Sequence, residues 1–117
     1  MLTAHHVNAF LVLASCFISA LAALVAYRRR GSAGRVVAQL LALAQTVLVA
    51  QVGMGLLLLG DHLRAQDRLH YVYGSLALLA TLSPWLYAPA EPRRRLLWFG
   101  GATLVAGALA IRAYTTA

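Results

Sequence analysis

Four apolar runs separated by short charged loops constrain this chain more than any other feature. They cover residues 7–27, 36–60, 71–88 and 96–111, and none contains Asp, Glu or Lys. At about 1.5 Å per residue, the first run is long enough to cross a hydrocarbon core of about 30 Å. The missing acids and lysines also argue against a proton or cation path through the centre. Of the 117 residues, 62% are hydrophobic, and a soluble domain of this size cannot hide that much apolar surface. Short loops make sequential helices antiparallel neighbours. The expected fold is therefore all-α: an integral membrane, antiparallel four-helix bundle in one domain. Its helices are expected over about 6–28, 36–60, 70–88 and 95–113.

The net charge of +7 comes from arginine, with no lysine. In a soluble protein that charge suggests nucleic acid. Here the arginines lie between apolar runs, and neither a basic face nor an RNA-binding motif accompanies them, so nucleic acid is not an expected partner. Topology accounts for them better. Arg28, Arg29, Arg30, Arg35, Arg93, Arg94 and Arg95 fall on one side, and Arg64, Arg68 and Arg112 on the other. The positive-inside rule then puts the first and third loops in the cytoplasm of a bacterial-type inner or plasma membrane. Both termini and the loop over residues 61–70 are extracytoplasmic. Tyr27, Trp85, Tyr87 and Trp98 mark the inner interface, and Tyr71, Tyr73 and Tyr114 the outer one. The first residues carry no positive charge and no small-residue cleavage site follows, so no signal peptide is expected. The single Cys16 excludes an internal disulfide.

Small and weakly polar residues recur at helical spacing: Asn8, Val12, Ser15, Cys16, Ser19 and Ala23, then Tyr73, Gly74, Ala77 and Thr81, then Gly100, Thr103 and Gly107. Such stripes are where membrane helices approach one another. Gln45 and Gln51 cost more to bury and need partners.

His5, His6, His62 and His70 all fall on the outer side of this topology. The first and third helices run the same way, so their opening histidines share one membrane depth. A b-type heme takes one axial histidine from each of two helices, with propionates near interfacial arginines. His70 with His6, or with His5, supplies such a pair, with His62 in reserve. Arg64, Arg68 and Arg112 are the outer arginines. Gly74 lies one turn after His70 and clears room for a flat ring, while Gly53, Gly55 and Gly60 thin the outer half of the second helix. A bare metal site of three histidines with Asp61 or Asp67 is the other arrangement, but it lacks a recognisable ligand spacing. Histidines at helix ends also occur as interface residues that hold nothing. A quinone in the same pocket would use His70, Tyr73 and Gln51 as hydrogen-bond partners.

The run Gln51-Val52-Gly53-Met54-Gly55, a polar outer loop and then Leu69-His70 opening the next helix resembles the heme-carrying half of heme A synthase and related small four-helix b-type cytochromes. The resemblance spans roughly residues 5–90 as a pattern. It implies that His70 is one axial ligand and His5 or His6 the other, in a cytochrome b-like electron-transfer protein. Heme A synthase has two such halves and this chain has one. The acid beside the helix-opening histidine is also missing, since Ala4 and Asn8 flank the pair. The oxidative chemistry of that enzyme is therefore not implied. The alternative is a non-catalytic accessory subunit of a larger, respiratory-type membrane complex. In that reading its small-residue faces pack on partner helices and its arginines meet anionic lipid. Either reading allows a homo-oligomer.

Overall fold

The computed structural model describes residues 2–29, 34–62, 65 and 67–117. Among them every regular element is a helix: α1 (Leu2–Arg28), α2 (Arg35–Gly60), α3 (Leu69–Leu82), α4 (Pro84–Tyr87) and α5 (Pro92–Thr115). Three of these, α1, α2 and α5, are long and apolar enough to cross a membrane. The molecule is 48 Å long and 23 by 20 Å across.

The run expected as one helix over 70–88 is divided. Pro84 brings no N–H and constrains the residue before it, so α3 ends at Leu82 and α4 restarts at Pro84. Ser83 keeps right-handed helical angles, and bonds from Leu86 N to Ser83 O and from Ala88 N to Pro84 O carry the path onward. Alone, the 14 residues of α3 reach only about 21 Å. Helix α5 begins at Pro92 rather than near residue 95. Proline suits the first helical position, and the Glu91 carboxylate accepts from the N–H groups of Arg93 and Arg94. Helix α1 begins at Leu2 rather than near residue 6.

Helix α1 packs on α2 and α5, and α3 packs on α5, while α2 meets α3 and α5 only sparsely. The core joins members of the small-residue stripes to a few leucines and Phe99. Val12, Cys16, Ala44, Leu48, Ala77 and Ala106 form one core cluster, and Ala23, Leu41, Leu96 and Phe99 a second. Gly100 and Gly107 bring α5 close to α1. A Cβ on Gly100 would lie 3.0 Å from Ala23 Cβ, and one on Gly107 3.0 Å from Phe17 Cζ. Large apolar side chains face outward instead, including Phe10, Ile18, Leu21, Leu43, Leu56 and Leu79.

Gln45 and Gln51 both find partners across helices. Gln45 donates to the Thr81 carbonyl and accepts from Trp85 Nε1. At one end of the bundle, Arg93 Nε donates to the Tyr27 carbonyl, 3.2 Å away, and its guanidinium lies 4.2 Å from the Tyr27 ring centre. At the other end, Asn8 of α1 reaches Val47 and Gln51 of α2.

Candidate functional site

Because α1 starts at Leu2, His5 and His6 both ride on regular helix, about 100° apart. His5 continues the inward stripe and is half-buried, whereas His6 is exposed. His70 sits in the first turn of α3. The His5 and His70 rings lie edge to face with centres 6.2 Å apart, and His6 is 6.4 Å from His5.

All three border a cavity of about 920 Å³ that also touches Gln51, Tyr71 and Gly74. It lies where α2 and α3 barely meet. Val12, Leu48, Leu58 and Ala77 give it an apolar wall. Gly74 leaves open space, and a Cβ on Gly55 would come to 3.4 Å from His5 Cε1. Phe10 and Tyr114 stack at its edge, 5.6 Å between ring centres.

A chain of hydrogen bonds fixes the proton on His5. The Asn8 side-chain nitrogen donates to the Val47 carbonyl at 2.9 Å and to Gln51 Oε1 at 3.0 Å. Gln51 must then turn its Nε2 toward His5 Nε2, 3.4 Å away. An amide nitrogen only donates, so His5 Nε2 accepts and the proton sits on Nδ1. That Nδ1 is buried and has no partner among the described residues. His70 is held the other way. Its Nδ1 is 2.6 Å from the Ala113 carbonyl oxygen, which only accepts, so Nδ1–H donates and Nε2 keeps its lone pair in the neutral ring. The two histidines on the cavity thus differ: His5 carries an unpartnered donor that is buried within the protein, and His70 an acceptor not used by its bond to Ala113.

Five of the residues expected from sequence come together here: His5, His6, Gln51, His70 and Gly74. Others do not. Tyr73 stands under the Arg112 guanidinium, 5.4 Å from ring centre to Cζ, and neither borders the cavity. Tyr71, next in sequence to His70, takes the place expected of Tyr73, and its hydroxyl accepts from the Ala65 N–H at 2.7 Å. Arg68 is exposed at the start of α3, and Arg64 lies outside the described residues. His62 is exposed and ends α2 on left-handed backbone, with φ 63°. The three-histidine metal site is not formed: among the described residues no three His, Cys, Asp or Glu side chains group to hold an ion. Asp67 instead accepts from the Leu69 N–H at 2.9 Å and starts α3, and Asp61 is exposed at the end of α2.

Sequence reasoning also missed two partners. Asn8 was visible only as part of a packing stripe, although a carboxamide on such a stripe signals a polar partner opposite. The Ala113 carbonyl had no signal at all, since any residue supplies one. No protein family, curated protein or solved structure matches the chain.

Proposed function

We propose that the chain is a membrane-embedded, antiparallel four-helix bundle with both termini on the extracytoplasmic side, and that it holds a b-type heme between His70 and His5. The observation that carries this reading is the histidine pair, 6.2 Å between ring centres, on the border of a large and mainly apolar cavity. Two imidazoles on opposite sides of one ion, with metal–nitrogen bonds of about 2 Å, have ring centres roughly 6 Å apart. His70 suits the role as it stands. A ring whose Nδ1–H is held by a carbonyl presents Nε2 in a fixed direction, which is the usual outer support of a metal-binding histidine. His5 suits it at a cost. To hold a heme iron through its unpartnered Nδ1, His5 would carry its proton on Nε2 instead and Gln51 would turn away, at a cost of about one hydrogen bond, roughly 0.5–1.5 kcal/mol. His6, exposed on the same cavity, is the other partner. A bound heme supplies one-electron transfer. The chain's own part is to orient His70 through Ala113, to leave room at Gly55 and Gly74, and to keep water out with the apolar wall.

A second reading rests on the fixed protons. An acceptor on His70, and the buried His5 Nδ1–H once its ring turns toward the cavity, match the hydroxyl and carbonyl of a quinone-class ligand, whose apolar tail suits the rest of the cavity. In this reading Gln51 acts by holding the His5 ring, and Tyr71 replaces Tyr73 at the head group.

Reduced-minus-oxidised spectra of the purified protein, with heme supplied, separate the readings. Low-spin b-type bands that are lost in His70→Ala and weakened in His5→Ala support heme. Bands unchanged in His70→Ala reject the ligand. With no Soret band, saturable binding of a soluble quinone that is lost in both variants leaves the second reading. If neither ligand binds, packing in a larger membrane complex or a homo-oligomer is left.

A further inference from the structure

At the end of the bundle away from the histidines, a groove of about 280 Å³ runs between α2 and α5. Leu41, Ala42, Leu96 and Phe99 line it, and Trp85 and Arg95 stand with them. The Arg95 guanidinium lies 5.4 Å from the Trp85 ring centre and 4.9 Å from that of Phe99. It is therefore held at the groove by two cation–π contacts, with donors to spare on its rim. Trp85 is itself fixed by donating Nε1–H to Gln45 Oε1 at 3.1 Å. Arg35 precedes the lining residue Ala38 by three positions, a spacing that shares one helix face. Gly34 has no side chain to cap the first N–H groups of α2, so the positive end of that helix adds to the field. The one acid nearby, Glu91, is taken up by the N–H groups of Arg93 and Arg94.

We infer that this groove binds one acyl chain of an anionic phospholipid, with the phosphate on Arg95 and Arg35. An apolar slot with cations at its edge matches an amphiphile that is apolar along its length and negative at one end. A zwitterionic lipid fits the slot but gains less from the arginines. The inference rests on the membrane part of the proposed function and not on the histidine cavity. Failure of the heme reading appears in the visible spectrum and leaves lipid retention untouched.

The test is native mass spectrometry of the full chain from detergent, with phosphatidylglycerol or phosphatidylcholine of the same chain length added. Retention of phosphatidylglycerol should exceed that of phosphatidylcholine, and Arg95→Gln should reduce this preference roughly fivefold, the effect of one arginine near an anionic head group. Ala42→Leu fills the groove from an exposed position and should lower retention of both lipids while circular dichroism stays helical. Equal retention of the two lipids by the unaltered chain overturns the charge recognition. Undiminished retention in a helical Ala42→Leu variant overturns the groove. Displacement of the lipid by inorganic phosphate alone also overturns it, because an ion has no acyl chain to seat.

Discussion

Each of the two central histidines takes its direction from a carbonyl that is not its own. Val47 orients Asn8, Asn8 orients Gln51, and Gln51 orients His5, while Ala113 orients His70 directly. Both rings should therefore carry their proton on Nδ1, with different consequences: on His5 that proton is spare, and on His70 it is used. Ring nitrogen-15 shifts of the ligand-free protein read this out. His5 should show a single Nδ1–H tautomer that Gln51→Leu abolishes, with His70 unchanged. A His5 ring protonated at Nε2 in the unaltered protein rejects the chain of bonds. Sequence carried half of this arrangement. That Gln51 needed a partner followed from the cost of burying an amide, but that His5 rather than His6 turns inward did not, since the sequence put His6 first and kept His5 beside it; the earlier start of α1 decides it. Which atom faces which did not follow either, because the deciding acceptors are backbone carbonyls with no residue identity. Thr81 is a related case. Its backbone oxygen accepts from Gln45, yet its buried hydroxyl has no partner among the described residues. Thr81→Val keeps the volume and removes that hydroxyl, so thermal unfolding in detergent should show no loss of stability, or a gain of about 1 kcal/mol.

Helix ends and helix seams were legible to different degrees. The packing face of α5 was plain in the spacing of Gly100, Thr103 and Gly107, all buried, whereas its partner α1 was not. Gly107→Val should cost about 1–3 kcal/mol by overpacking Phe17 and Cys16. Gly101→Ala, where nothing lies within 4 Å, should be neutral or slightly stabilising. Equal unfolding temperatures for the two variants would remove the seam. The ends were harder to read, because proline means opposite things at the two ends of a helix. Pro92 closes one run and opens the next, and Pro84 interrupts a run that hydropathy alone makes continuous. Glu91 gives the start of α5 a pH dependence. Hydrogen bonds from the Arg94 and Arg93 N–H groups hold its carboxyl below the ordinary 4.5. A depressed folded-state pKa stabilises the fold above the ordinary value, and that contribution fades as pH falls through the lowered one. Glu91→Gln should thus lower the unfolding temperature at neutral pH and flatten its decline below pH 4.5. An unaltered acid slope would show that the cap contributes nothing.

At the scale of the whole molecule the apolar surface points outward, with Ile18 and Leu21 of α1 57% and 65% exposed. In water such a surface drives association, whereas in a bilayer it is the solvated face. In the proposed membrane setting the small residues of the core have the same cause, since helices surrounded by lipid gain from close backbone approach rather than from burying large side chains. The proposed topology takes its orientation from the arginines, and it can be tested without disturbing the bundle. Cys16 is fully buried, so the native thiol is silent to a membrane-impermeant maleimide. In intact cells Thr115→Cys, at the exposed end of α5, should label from outside, and Gly34→Cys, exposed before α2, only after permeabilisation. The reverse pattern rejects the proposed topology. If arginine asymmetry is the cause, adding as many arginines after Ala117 as the inner side holds in excess should invert part of the population, because positive charge placed late in the chain can still redirect it. Gly34→Cys would then begin to label from outside in that background. Labelling that does not change would mean that the bundle takes its orientation from something other than charge.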